Sequence, residues 1–481
     1  MVSLTLLPPP PGLKARAPNW SVRSGQPGAV PGSDRFLYLV IKILTESNIG
    51  EVKMPKIREA MVEMNPWWKE PFELPEYRPR EIYGEIQKFM ALPQIIGLTG
   101  LRRVGKTMLM LKLAEDWVKE GNPPTNLLYF SFDEFRGVEV RTVLREYEDL
   151  LGKNLRQGRF LVLLDEVQKL PGWQDQLKAL YDLYRRNLKF VVSGSESLFL
   201  RKGSRETLAG RFFEFRVNTL SFHEYLEFKS VEHEPVGLYE KELRRLFREF
   251  LLTQGFPELV GKTEKGIVRK YLRESVVEKV LFRDLVPFFG IRDALLLESL
   301  LNLLMEEPGQ LLQLSELSGT LGVSRKSLSN HLAYLELSFL LRKLYNFSAS
   351  RRKVERKLRK YYPTVVSADL AFREDELSAS RILEWAVVNQ LGAEFFWRDP
   401  YKNEVDAVIV REKPVPVEVK FGKVEMGGLL KFMERFGVKR GYLITPEAEE
   451  EHRKDGCTVS VLPAFKFLLH PARYLDQAAS A

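Results

Sequence analysis

Gly100-Leu-Arg-Arg-Val-Gly105-Lys106-Thr107 is the stretch that decides the fold. It fits G-x-x-x-x-G-K-[ST] at every fixed position, and its flanks supply the context that this spacing needs. Before it, residues 93–99 carry Ile95, Ile96 and Leu98 and predict a short buried strand. After it, residues 107–120 place Met108, Leu111, Ala114 and Val118 at helical spacing. In a strand–glycine loop–helix unit, backbone N–H groups curl round a phosphate at a helix N-terminus that already favours anions. Gly100, Arg103, Val104, Gly105, Lys106, Thr107 and Met108 are thus the expected cradle for ATP. Lys106 is expected to reach the β- and γ-phosphates and Thr107 to ligate Mg2+. The bland alternative is a glycine-rich turn beside a surface lysine, and the flanks argue against it.

Working outward, Phe160-Leu-Val-Leu-Leu-Asp165-Glu166 is five apolar residues followed by two acids. A buried parallel strand has this pattern, with charges emerging at its carboxyl end, where ligands of doubly wound sheets sit. Asp165 then suits the Mg2+ shell, and Glu166 suits the base that orients the attacking water. Residues 126–132 and 189–192 predict two further strands of the same sheet. The second ends at Ser193-Gly194-Ser195, where either serine could touch the γ-phosphate or simply make a turn. Arg211, in Leu208-Ala-Gly-Arg211, could stabilise transition-state charge in its own subunit or a neighbour's, which would imply a homo-oligomeric ring. Arg205 is the alternative, and either arginine taken alone also reads as an ordinary surface residue.

These residues resemble the archaeal and bacterial P-loop ATPases of AAA/STAND type, which pair the ATPase with a C-terminal domain of uncharacterised function. The shared features are Asn65-Pro66-Trp67-Trp68, the loop 100–107, Leu164-Asp165-Glu166-Val167-Gln168 with Trp173, and Leu208-Ala-Gly-Arg211. Leu220-Ser221-Phe222 with Glu224-Tyr225, and Gly255-Phe256-Pro257-Glu258, follow the same pattern. The resemblance runs from about Met54 to the C-terminus, and it implies ATP binding and hydrolysis with magnesium.

Composition narrows the remainder. The chain has 481 residues, 73 Lys and Arg against 64 Asp and Glu, a net charge of +9, and 44% hydrophobic content. That length suggests roughly three domains, and the apolar content excludes a wholly disordered chain. No apolar run approaches the roughly 18 residues that a membrane helix needs. Cys457 is the single cysteine, which excludes a disulfide framework and a Cys-based zinc cluster. Five histidines scattered over the chain argue against a His-rich metal centre. The expected setting is a reducing cytoplasm. Residues 1–33 contain no acid, and fifteen of them are Pro, Gly or Ser. Residues 1–53 are expected to be a disordered extension or a mis-assigned start, with Met54, Met61 and Met64 as alternative starts.

The expected fold class is α/β: a P-loop NTPase parallel sheet in residues 54–235, a helical lid or linker in 236–305, a winged helix-turn-helix in 306–375, and a small PD-(D/E)xK-like α/β domain in 376–470, before a tail at 471–481. In the helix-turn-helix, Leu314, Leu317 and Leu321 face the core from the first helix. Gly322 permits the turn, Ser324 caps the second helix, and Leu328, Leu332 and Leu335 bury it. Arg325, Lys326, Ser329 and Asn330 are left outward, near the end that would enter a major groove. Residues 342–360 follow with nine basic residues (Arg342, Lys343, Arg351, Arg352, Lys353, Arg356, Lys357, Arg359, Lys360) against one acid, Glu355, so +8 of the +9 is local. Beside a recognition helix such a hairpin predicts contacts to DNA phosphates, and the competing reading is a solvated charged loop.

At the C-terminal end, residues 381–392 predict a helix bearing Glu384, and 394–398, 405–410 and 414–421 predict strands bearing Asp406 and Glu418-Val419-Lys420. This order resembles the PD-(D/E)xK nuclease fold. Residues two apart on a strand share a face, so Glu418 and Lys420 point together. Glu384, Asp406 and Glu418 are the expected Mg2+ ligands, and Lys420 would position or activate the attacking water. Two functions fit: a DNA-processing ATPase with a magnesium-dependent nuclease-like domain, or a nucleotide-gated switch in which that domain is inert.

Overall fold

The computed structural model describes residues 57–74, 77–194, 207–348, 350, 358–454 and 456–479. The extension 1–53, Ser195, Arg205 and the basic residues of 351–357 lie outside the described residues.

Five strands, β1 (Ile95–Thr99), β2 (Leu127–Ser131), β3 (Phe160–Asp165), β4 (Leu188–Gly194) and β5 (Phe212–Arg216), pair in the order β2-β3-β4-β1-β5. Every pairing is parallel. The glycine loop leaves β1, the acids leave β3, and β4 lies between them. β1, β3 and β4 are buried along their whole length, which is why they read as unbroken apolar runs. Alternate residues supply separate cores on the two faces. Leu161 and Leu163 pack with Leu109, Met110 and Leu113 of the helix Lys106–Lys119. Val162 and Leu164 pack on the other face with Val143, Leu144, Tyr147 and Leu177. The helix Lys106–Lys119 buries Leu109, Met110, Leu113, Ala114 and Trp117, while Met108, Leu111 and Val118 are half-buried. The expected stripe is rotated because the segment with Trp67 and Tyr83 covers a second side of this helix.

Residues 236–306 are mostly helical: Val236–Thr253, then Lys265–Lys270, two π-helical stretches Tyr271–Val277 and Lys279–Leu285, then Val286–Phe289 and Ala294–Glu306. Leu314–Thr320 and Arg325–Leu337 are two helices joined by a turn at Gly322, whose φ of +66° is left-handed. Ser324 caps the second helix by accepting from Ser327 N at 3.1 Å. A hairpin of β7 (Leu341–Asn346) and β8 (Arg359–Pro363) follows, with β6 (Gln310–Leu311) on its edge.

The remaining strands are β9 (Phe395–Arg398), β10 (Glu404–Val410), β11 (Pro414–Val419), β12 (Arg440–Thr445), β13 (Glu450–Lys454) and β14 (Cys457–Pro463). The sequence places a boundary at 375/376, yet one nine-stranded sheet, β13-β14-β12-β11-β10-β9-β7-β8-β6, crosses it. Tyr345 N donates to Glu394 O at 2.9 Å and Phe347 N to Phe396 O at 2.7 Å, joining β7 to β9. A hairpin edge with unpaired backbone groups is stabilised by such a partner. The expected tail instead contains the helix Pro471–Ala479, with Leu475, Ala478 and Ala479 buried and Tyr474 O accepting from Tyr442 OH at 2.5 Å. No helix among the described residues is long and apolar enough to cross a membrane.

Candidate functional site

The ends of β1, β3 and β4 converge on one carboxylate. Asp165 Oδ2 accepts from Thr107 Oγ1 at 2.8 Å and from Tyr129 OH at 2.9 Å. Asp165 Oδ1 accepts from Ser193 Oγ and, at 3.1 Å, from the Glu166 backbone N–H. Parallel pairing forces this meeting, because neighbouring strands deliver their carboxyl ends to one edge. Ser193 lies within β4 and is fully buried, so it faces Asp165 rather than making a turn. Tyr129 had no motif to flag it; its only signal was its place near the end of a strand beside β3.

Gly100, with φ +142°, lies against the chain leaving β5, where a Cβ would sit 2.1 Å from Val217 O. Gly105 is left-handed and opens the helix Lys106–Lys119. Lys106 is buried, and its Nζ donates to Gly100 O at 3.0 Å and Leu101 O at 2.8 Å. Burial lowers its pKa from the usual value, so an ammonium without a full counter-charge is held under the loop. A triphosphate would supply that charge. Glu166 adopts a left-handed backbone (φ +57°), and its side chain accepts from Gln168 Nε2 at 2.6 Å. Burial, then Asp165, raises its pKa, as suits a group that holds a proton-bearing water. These residues fit ATP with Mg2+, an ion that Thr107 and Asp165 would hold.

The loop is also tied to its surroundings. Buried Arg80 donates to Val104 O at 2.7 Å, Asn218 O at 2.8 Å and Glu224 Oε1 at 2.9 Å. Arg102 forms two 2.6 Å hydrogen bonds to Asp284 in the π-helical stretch Lys279–Leu285. The Arg103 side chain pairs with Glu258 at 2.9 and 3.0 Å. Arg211 lies at the opposite edge of the sheet. Its carbonyl accepts from Ile95 N at 2.8 Å, and its guanidinium pairs with Asp182 at 2.8 Å. The β1/β5 register runs from Ile95↔Phe212 to Thr99↔Arg216. Arg211 is therefore about a strand length, roughly 16 Å, from its own phosphate loop.

In the C-terminal half the structure brings the four expected residues together. Glu384 comes from the helix Glu376–Gln390, Asp406 from β10, Glu418 from β11, and Lys420 follows β11. Lys420 Nζ lies 2.6 Å from Glu418 Oε1, and Asp406 Oδ2 accepts from Val419 N at 2.9 Å. The sequence reading did not place Lys360, Tyr362 and Glu404 in this cluster. Lys360 Nζ lies 3.2 Å from Glu384, 3.2 Å from Asp406 and 2.5 Å from Glu404. Burial opposes its charge, but the facing carboxylates outweigh that and lift its pKa well above the usual value. Tyr362 OH donates to Glu384 Oε1 at 2.5 Å. Burial, with Asp406 adding to it, pushes Glu418 up to about 8, and Glu418 Oε2 is buried without a hydrogen-bond partner. Four carboxylates here face three cations, Lys360, Lys420 and Arg398, the last 2.5 Å from Glu404. The orphaned oxygen fits a cation that would displace the Glu418 proton and bridge Glu418 and Asp406, in competition with Lys360 for Asp406.

Lys360 also corrects the reading of residues 342–360 as one outward basic run. Lys360 is buried among acids, and Lys343 pairs with Glu336 at 2.5 Å. Arg342 donates to Asn389 Oδ1 at 3.3 Å, and burial, then Arg216, pushes its pKa down to about 10. Arg359 stacks over Tyr345 at 5.3 Å. By contrast Arg325, Lys326, Ser329 and Asn330 are exposed.

Residues 92–226 match the family described as AAA domain, and residues 244–366 match one described as Domain of unknown function (DUF8612). Together with the five parallel strands and the loop, the first match defines a P-loop ATPase domain of AAA type. Similar chains extend beyond that domain. An uncharacterized protein of Haemophilus influenzae is 28% identical over 253 residues, which is 51% of this chain and 61% of its own length. Two uncharacterized proteins of Methanocaldococcus jannaschii are 26% identical over 403 residues (74% of this chain, 82% of theirs) and 25% over 264 (53% and 57%). The chain thus spans less than two thirds of two of these three relatives. Among solved structures, RuvB of Thermotoga maritima is 15% identical with TM-score 0.29, covering 60% of this chain and 98% of that one. Cdc6p of Pyrobaculum aerophilum is 13% identical with TM-score 0.26, covering 68% and 98%.

Proposed function

We propose that the protein is a DNA-processing ATPase that couples Mg2+-dependent ATP hydrolysis to a nuclease-like C-terminal site. Asp406 and Glu418, with Glu384 behind them, would hold a Mg2+ ion, which when bound supplies Lewis acidity at a phosphodiester. Lys420 would hold the attacking water beside Glu418, and Glu166 would orient water at the ATP site. The helices Leu314–Thr320 and Arg325–Leu337 with the β7/β8 hairpin would act as a winged helix on duplex DNA. Exposed Arg325, Lys326, Ser329 and Asn330 support this, with the basic residues of 351–357 adding phosphate contacts. The assembly would be a cytoplasmic homo-oligomeric ring in which Arg211 serves a neighbour's nucleotide. The observation that carries the nuclease reading is the meeting of Glu384, Asp406, Glu418 and Lys420 around one unpartnered carboxylate oxygen.

A second reading is favoured by Lys360. Its ammonium already lies among the acids, as in a nuclease fold retained for binding and gated by ATP. Incubating the protein with duplex, branched and single-stranded DNA, Mg2+ and ATP separates the two. Cutting that is lost in Glu418→Ala with ATPase retained supports the first reading. ATPase activity without cutting on any substrate leaves the switch. Glu166→Gln should abolish ATP turnover under either reading.

A further inference from the structure

Three of the five histidines of the chain, His223, His233 and the distant His470, meet at one place. The helix Phe222–Lys229 presents His223 and Glu227, one turn apart on one face. His233 follows in the next loop, and the ligand-capable atoms of His223, Glu227 and His233 all lie within 4.8 Å of one another. The His223 and His233 rings are 5.3 Å apart, edge to face, and His470 lies 5.6 Å from His223. Sequence alone argued against a histidine centre, because the chain has only five histidines and they are scattered over its length.

The hydrogen bonds fix which ring nitrogens remain available. His223 Nδ1 lies 3.1 Å from Glu81 Oε1, and this carboxylate is held ionised by the contact, so the ring must donate. His233 Nδ1 lies 3.1 Å from the carbonyl of Val231, which can only accept. In the neutral rings these contacts leave the Nε2 lone pair of each histidine for an ion. His470 donates from Nε2 to Glu234 at 2.9 Å, leaving Nδ1. Histidines that bind metal ions commonly donate their other nitrogen to a carboxylate or backbone carbonyl in this way, which sets the tautomer and raises ligand basicity.

We propose that His223, Glu227 and His233 form a binding site for a borderline transition-metal ion of the Zn2+ class, with His470 beside it. Two imidazoles and a carboxylate match the three-ligand zinc set that keeps a fourth position open. A tetrahedral edge in such a site is roughly 3.4 Å, so closing from 4.8 Å takes small rotations of half-exposed side chains. Glu224, the neighbour of His223, holds Arg80, which in turn holds Val104 O in the phosphate loop. The ion would thus brace the helix on which that loop leans.

The test is a Zn2+ titration of the full-length, EDTA-stripped protein by calorimetry, with excess Mg2+ to fill oxygen-only sites. Circular dichroism checks the fold of each variant. Wild type and His452→Ala, whose histidine lies elsewhere, should bind one equivalent with the same affinity. His223→Ala and His233→Ala should lose that equivalent, and Glu81→Ala should weaken it by about 10–100-fold. Co2+ should give a visible spectrum of nitrogen ligation in wild type that disappears in His233→Ala. Absence of the equivalent in wild type, or its survival with unchanged affinity in folded His233→Ala, overturns the proposal.

Discussion

Lys360 Nζ and Asp406 Oδ1 are 3.2 Å apart in a buried cluster of acids, so an ammonium stands where an acidic metal site would begin. Removing one partner of a buried ion pair leaves uncompensated charge and costs about 3–5 kcal/mol. Lys360→Met should therefore lower the urea midpoint sharply in EDTA. Saturating Mg2+ should restore much of the loss, because the ion replaces the missing charge on Asp406 and Glu418. An equal loss with and without Mg2+ would mean that these acids hold no cation.

Glu418 makes the same site sensitive to pH. Its pKa in the folded protein is about 8 against an ordinary 4.5, so between those values the native state binds more protons than the unfolded chain. Its stabilising contribution is complete below the ordinary value and is lost as pH rises toward about 8. In EDTA the urea midpoint of wild type should fall across this window, and Glu418→Gln should flatten the fall. Mg2+ affinity should rise over the same range, since ligation needs the carboxylate. Parallel stability profiles for the two proteins would remove Glu418 as the titrating group.

The parts legible in the sequence are those fixed by local pattern. The phosphate loop, the apolar run ending at Asp165-Glu166, and the cap at Ser324 each need only a few adjacent residues. Glu418 and Lys420 were legible because strand alternation puts them on one side. That alternation also pairs Lys360 with Tyr362 on an inward face, but the surrounding basic residues obscured it. The β7/β9 pairing, the Arg102–Asp284 link and the approach of His470 to His223 join residues 50 to 247 positions apart. Their partners are chosen by chain topology, which periodicity does not encode.

Arg102 and Asp284 join the phosphate loop to the π-helical stretch by two 2.6 Å hydrogen bonds, with Asp284 almost fully buried. Hydrogen bonds to charged groups contribute about 1.5–3 kcal/mol, so Asp284→Asn should cost about 2 kcal/mol. Coupling should suffer as well. In wild type, ATP should change amide hydrogen exchange across residues 279–285, and in Asp284→Asn that change should largely vanish while ATP still binds. An unaltered exchange response in the variant would show that the loop signals by another path.

Arg211 is paired with Asp182 at the sheet edge opposite its own phosphate loop, a position from which the proposed contact with nucleotide would be made across a subunit boundary. An arginine that stabilises transferred phosphate in trans contributes about 10³–10⁵ in rate. Arg211→Ala should therefore bind ATP normally yet lose hydrolysis by a factor of that order. Mixing it with Glu166→Gln, itself inactive, decides the matter. The Arg211→Ala subunit keeps a working loop, and a Glu166→Gln neighbour supplies the missing arginine, so the mixture should recover activity that neither variant has alone. Full activity in Arg211→Ala by itself would assign the arginine to the surface, and failure of the mixture to recover would rule out a shared site.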